Sequence, residues 1–248
     1  MPKNSWSFVV PRLTAPIGVT RWGHFGMPVV LFASAGGDSL EAERLQIIAA
    51  LAPLLDAGKI KVYAVDGTAM RVLLAGTAAP EVRIQTQQAF DEWTATALGA
   101  HVRRDCENDT VELLACGCAL GAASALQALL RDAQLFRGAI GLSGTYDLLP
   151  WLTEGPRCSA DAGGGADVSP PQQLARLPEG PQLERLRQRP VTLGCTAGDY
   201  DDAPATEAMA RQLRERGIAT RTDVWGQPFH FGFSSWCQML PRFVGDLL

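Results

Sequence analysis

Residues 111–130 read Val-Glu-Leu-Leu-Ala-Cys-Gly-Cys-Ala-Leu-Gly-Ala-Ala-Ser-Ala-Leu-Gln-Ala-Leu-Leu. An apolar run suited to a buried strand, 111–116, leads through Gly117-Cys118-Ala119-Leu120-Gly121 into an alanine- and leucine-rich helix. That order of strand, glycine-flanked turn and helix is the layout of a nucleophile elbow, Gly-x-Ser-x-Gly. Gly117 and Gly121 permit the sharp turn and let the helix lie close to neighbouring strands. The apex, where a serine would stand, is Ala119. The frame of an acyl-transfer site is present without its attacking oxygen.

The rest of the chain builds a sheet around this unit. Continuous apolar runs at 28–33, 60–65, 138–143 and 191–196 suit strands buried on both faces. Residues 7–11 and 18–23 read as opening antiparallel strands, and 219–225 as the last strand. Helical spacing predicts helices over 39–57 (capped by Asp38 or Ser39 and ended by Gly58), 82–102, 204–217 and 236–248. Residues 68–82 read as irregular, and 103–109 as a polar turn. The Gly/Pro-rich stretch 147–190 reads as a surface excursion or small cap with short helices at 171–177 and 182–188. Strands alternating with helices predict a single α/β domain over 1–248, with a mostly parallel central sheet covered by helices on both faces. Open sheets of this kind bind ligands beyond the carboxyl ends of their strands. There the turn at Ala119 would meet the loops 34–38, 197–202 and 226–230.

Composition narrows the function classes. The 22 basic and 26 acidic residues give a net charge of −4, and no basic block stands out, so no nucleic-acid partner is expected. The longest apolar runs fall far short of the ~20 residues that span a bilayer, and residues 1–6 lack a signal-peptide core, which gives a cytoplasmic expectation. Six cysteines are too few for a disulfide scaffold. Cys116 and Cys118 read as small apolar residues on one face of a strand. No second Cys/His pair of zinc-like spacing follows, so no metal is expected.

Serine acyl transfer needs a nucleophile, an imidazole, a carboxylate to orient it and an oxyanion hole. Position 119 comes first in the chain, the cluster Asp199, Asp201 and Asp202 next, and His230 last, each after a predicted strand. Asp201 is the chosen acid, with Asp202 next. Asp199 can cap the turn, and one of the three must begin the following helix. Of the other histidines, His101 reads as a surface residue at a helix end and His24 as part of a Trp-Gly-His turn. Cys118, Ser124 and Ser143 are weaker stand-ins for the missing serine. Gly36, in the loop Ser34-Ala35-Gly36-Gly37-Asp38, belongs to a segment that either presents N–H groups to a developing charge or simply connects strand to helix.

Several segments together resemble bacterial esterases of the α/β-hydrolase superfamily, the group of esterase D-like, feruloyl esterase-like and mycolyltransferase-like proteins. These are Trp22 to Gly37, Gly117-Cys118-Ala119-Leu120-Gly121-Ala122, Ile140 to Asp147, Asp223-Val224-Trp225-Gly226, His230 and Trp236 to Leu240. The resemblance implies the α/β-hydrolase fold and a small ester or acyl substrate, with no metal or organic cofactor. It places the nucleophile at position 119, the acid at Asp201 and the base at His230. The N–H groups of Leu120 and of Ala35 or Gly36 would form the oxyanion hole. The chain departs from the family at Ala119, at Ala33 where proline is usual, at Ala123-Ser124, at Phe231-Gly232 after the histidine, and in the stretch after Asp66. Three functions follow as expectations. One is a serine-type carboxylic ester hydrolase made inactive or nearly so by Ala119, whether by deliberate replacement or by descent. The second is a natural non-catalytic relative that binds a ligand or a protein. The third is His230-dependent chemistry without a serine.

Overall fold

The computed structural model describes residues 2–153, 165–198, 201–226 and 232–248. Eight strands form one sheet: β1 (Lys3–Phe8), β2 (Ile17–Trp22), β3 (Met27–Phe32), β4 (Ile60–Val65), β5 (Leu113–Cys118), β6 (Phe136–Leu142), β7 (Val191–Thr196) and β8 (Thr220–Trp225). Their spatial order is β1-β2-β4-β3-β5-β6-β7-β8. β2 runs antiparallel to both of its neighbours, and every pairing from β4 to β8 is parallel. The mostly parallel α/β sheet expected from the apolar runs is therefore present.

β5 shows why those runs are continuous. Leu113 and Ala115 face one apolar layer, with Tyr63, Phe90, Leu126 and Phe136. Leu114, Cys116 and Cys118 face the other, with Trp22, Leu51, Val62 and Phe243. A strand covered on both sides alternates between two cores, so neither face needs polar residues.

The helices, in chain order, are α1 (Glu41–Arg44), α2 (Ile47–Ala50), α3 (Ala52–Asp56), α4 (Thr68–Ala75), α5 (Pro80–Trp93), α6 (Gly99–Asp105), α7 (Leu120–Arg131), α8 (Leu149–Thr153), α9 (Pro170–Arg176), α10 (Pro181–Arg187), α11 (Ala203–Glu215) and α12 (Gly232–Gly245). A π turn, Thr94–Leu98, joins α5 to α6. Among the described residues no helix is long and apolar enough to cross a membrane.

Several elements differ from expectation. The single helix over 39–57 is three short pieces, because Gln46 adopts φ 61° and Pro53 opens a new turn. Asp38 accepts from the Leu40 N–H at 2.9 Å, while the Ser39 hydroxyl bonds Thr20 instead of capping. Residues 68–75, expected to be irregular, form α4. The helix over 82–102 starts at Pro80 and reaches Asp105 through the π turn. β1 begins at Lys3, earlier than the alternation around Phe8 suggested. α9 and α10 lie within one residue of the two helices expected in the 147–190 excursion.

Candidate active site

β5 runs straight into α7 with one residue between them, Ala119, at φ 50° and ψ −121°. L residues rarely adopt that conformation, and holding one there costs of order 1–3 kcal/mol. Three backbone bonds hold it. Ala119 donates to the Leu142 carbonyl at 2.9 Å and accepts from Ala122 and Thr145 at 3.1 and 3.2 Å. The flanking glycines are obligatory on steric grounds. A Cβ at Gly117 would collide with the Gly121 carbonyl, and one at Gly121 would lie 2.6 Å from the carbonyls of Phe32 and Ala33. The elbow geometry is thus complete around a side chain that ends at Cβ.

The amide after the apex is the first expected oxyanion donor, and it is already engaged. Leu120 N–H donates to the Ser34 carbonyl at 2.9 Å. The loop that presents this carbonyl is tied down from several sides. Ser34 N–H donates to Glu41 Oε2 at 2.7 Å. Arg71 of α4 donates to the Gly36 and Gly37 carbonyls at 2.8 and 3.3 Å, and its other nitrogen pairs with Asp66 at 2.6 Å. Gly67 N–H donates to Gly37 at 2.8 Å, and the Gly67 backbone packs so closely on Gly36 that a Cβ would lie 2.6 Å from its Cα. Gly36 itself sits at φ 78°. Ala35 is exposed at the top of the loop.

Asp201 sits beside the end of β7. Its Oδ2 accepts three hydrogen bonds, from Thr196 N–H at 2.6 Å, Thr196 Oγ1 at 2.8 Å and Ser143 Oγ at 2.9 Å. Ser143, one residue past β6 at φ 48°, also accepts from Trp236 Nε1 at 2.9 Å. A chain Trp236–Ser143–Asp201–Thr196 therefore links α12, β6 and β7 at the carboxyl end of the sheet. Asp202 is the residue that begins α11, accepting from Ala205 N–H at 2.8 Å. Asp199 and His230 lie outside the described residues.

The remaining candidates separate by burial. Cys116 and Cys118 are buried within the same apolar layer, and burial pushes both thiols well above the ordinary range. Neither is poised as a thiolate. Ser124 is buried in α7. His101 is half-buried, edge-on to Trp6 and Phe8 at 4.5 and 5.1 Å between ring centroids, and burial lowers its pKa. It is a packed histidine, contrary to the surface position expected for it. His24 is exposed in the β2–β3 turn, at the opposite end of the strands. Among the described residues no three His, Cys, Asp or Glu side chains come together as a metal-ligand set.

Not foreseen from the sequence were Ser143 as the partner of Asp201, Trp236 as the partner of Ser143, and Glu41 and Arg71 as clamps on the 34–38 loop. The place of Ser143 at the end of an apolar run, directly before Gly144, was the available signal for the first. Nothing local signals that Arg71 reaches back 35 residues to Gly36.

No protein-family model matches this sequence, and no curated protein matches it. Solved structures do. S-formylglutathione hydrolase from Agrobacterium tumefaciens aligns with a TM-score of 0.69 at 10% identity, over 98% of this chain and 93% of that one. The substrate-bound fluorophosphonate-binding serine hydrolase F of Staphylococcus aureus gives 0.70 at 11% identity, over 99% and 98%. MPT51 of Mycobacterium tuberculosis gives 0.69 at 16% identity, over 100% and 98%. These similarities run the length of the chain, and with its mostly parallel eight-stranded sheet they show that the protein has the α/β-hydrolase fold.

Proposed function

We propose that this chain is a non-catalytic member of the esterase-like hydrolases, a protein that binds a small acyl or ester ligand at the carboxyl end of the sheet without cleaving it. The observation that carries this reading is the Leu120–Ser34 hydrogen bond beside Ala119. Removing a serine oxygen alone leaves the neighbouring amide available to a developing oxyanion. Here the oxygen is absent and the amide is also spent on a carbonyl of its own loop. Losing the nucleophile costs about 10⁶ in kcat, and losing one oxyanion donor a further ~10²–10³. Two independent requirements of acyl transfer are unmet together, and Glu41 and Arg71 hold the loop in that arrangement.

A second reading, a serine esterase in which alanine stands in for the nucleophile, draws support from Asp201. Its carboxylate is held in place by Ser143 and Thr196 after the strand where an acid would serve an imidazole. The two readings differ in what Ala119→Ser should do to hydrolysis of short p-nitrophenyl esters. The non-catalytic reading expects less than a tenfold rise in kcat/KM over the unaltered chain. A rise of a thousandfold or more would establish the esterase.

A further inference from the structure

At the amino end of the parallel strands, opposite the elbow, lies a cleft of about 700 Å³. Pockets that hold small ligands typically measure about 300–1,000 Å³. Strands of six residues at about 3.3 Å each put it some 20 Å from Ala119, so it shares nothing with the proposed ligand site. It is lined by the β2–β3 turn, the first residues of β3, Lys61 of β4, the 105–112 segment and Arg137 of β6.

The polar groups of the lining divide into spent and unspent. Lys61 is 4% exposed and bonded to Asp105 through its carbonyl and carboxylate, each at 2.9 Å. Asp105 also takes Arg21 at 2.8 Å and the Tyr63 hydroxyl at 2.5 Å. Glu112 is paired with Arg189. Asn108 commits its side-chain oxygen to the N–H and hydroxyl of Thr110, both at 2.9 Å. Glu107, exposed, is the one carboxylate of the lining without a described partner.

The donors are left over. Arg137 is half-buried, and the only partner its guanidinium has among the described residues is the Met27 sulfur at 3.3 Å. A thioether is a weak acceptor, and a half-buried guanidinium with five N–H groups is poorly served by one. The Asn108 NH₂ and the His24 ring also have no described acceptor. Beside these donors stand apolar groups. Phe25 is 72% exposed. Its turn passes through Gly23 and Gly26, both at positive φ, and Gly26 lies so tightly on the Lys59–Ile60 backbone that any Cβ would collide with it. Met27, Pro28 and Val111 complete the apolar wall.

We propose that this cleft binds a small carboxylate carrying an apolar group, with the carboxylate on the Arg137 fork and the Asn108 amide and the apolar part on Phe25, Met27 and Val111. Guanidinium and carboxylate match as a bidentate pair; of the cleft's own carboxylates, Asp105 and Glu112 are held by other cations, which leaves exposed Glu107 as the one acid beside the ligand without a described partner.

The test uses sodium benzoate as probe, titrated into the full chain by calorimetry, with inorganic phosphate in parallel. Backbone amide NMR shifts locate the site. Saturable benzoate binding is expected, with shifts at Phe25, Asn108 and Thr110 and none at Leu120 or Ser143. Arg137→Gln should weaken it at least tenfold, Arg137→Lys several-fold, and Phe25→Ala several-fold. Matching circular dichroism and urea midpoints would confirm that the variants are folded. No saturable binding, shifts at the elbow without shifts in the cleft, or unchanged affinity in both Arg137 variants would overturn the proposal. Phosphate binding as tightly as benzoate would overturn its apolar half. None of these outcomes depends on whether Ala119→Ser hydrolyses esters.

Discussion

The N–H of Leu120 donates to the carbonyl of Ser34 at 2.9 Å, closing the gap between the elbow and the loop after β3. In a working acyl-transfer site, donors at this place point to where the substrate oxygen becomes charged. Here the elbow retains the shape of such a site, with both glycines and a strained apex, while the chain satisfies its own donor.

The strain at the apex persists without a nucleophile to position, so relieving it should stabilise the protein. Ala119→Gly removes the Cβ from φ 50°, ψ −121° and is expected to raise the unfolding free energy by up to about 1 kcal/mol, the strain relief being partly offset by the greater unfolded-state freedom of glycine. Gly121→Ala should do the opposite and cost about 1–3 kcal/mol through contact with the Phe32 and Ala33 carbonyls. Urea unfolding of the two variants measures both.

Ser143 serves two partners at once, so its loss should exceed that of one hydrogen bond. Ser143→Ala leaves Trp236 Nε1, on a side chain only 5% exposed, without its acceptor and removes one of three donors to Asp201. A cost of about 1–3 kcal/mol is expected for the orphaned indole. In a double-mutant cycle with Trp236→Phe, the second substitution should cost less once the first is made, giving a coupling of at least about 0.5 kcal/mol.

Two carboxylates give stability opposite pH slopes. Asp91 is buried between α5 and α7, and desolvation raises its pKa to about 7 against the pull of Arg131, Gln87 and Gln127. Arg131 Nε lies 3.2 Å from Asp91 Oδ2 without the alignment of a hydrogen bond. Because the folded state holds this proton more tightly than the unfolded chain, stability should fall as pH rises from about 4 to about 7. Asp105 is the reverse case. Burial pushes it up, but hydrogen bonds from Tyr63, Lys61 and Arg21 outweigh that and hold it at about 2. Its contribution is present above pH 4 and lost as pH falls towards 2. Thermal unfolding across pH 2–8 should show Asp91→Asn flattening the upper limb and Asp105→Asn the lower one.

Much of this architecture was legible in the residues. The strand at 60–65 and the one at 191–196 coincide residue for residue with β4 and β7, because a strand between two apolar layers is written as an unbroken apolar run. The elbow was legible because its two glycines are steric necessities. What escaped was set by tertiary contacts. Nothing in the periodicity of 39–57 marks Gln46 as a left-handed break, and α4 lacks a local start signal, its Arg71 being committed to carbonyls across the loop. β1 is an edge strand whose mixed burial blurs its alternation. At the site, the helix start left open among Asp199, Asp201 and Asp202 falls to Asp202 on α11, while Asp201 lies beside Ser143. The engagement of Leu120 by Ser34 depends on the path of a loop 86 residues earlier, which no local pattern encodes.

With Leu120 held by Ser34, the elbow should fail at acyl transfer even with a serine at its apex, which is read by exposing Ala119→Ser to a fluorophosphonate and weighing the intact protein. Such a reagent marks a serine only where a base and an oxyanion hole activate it. An unmodified mass after hours with excess reagent is expected. A stoichiometric single adduct at position 119 would contradict it.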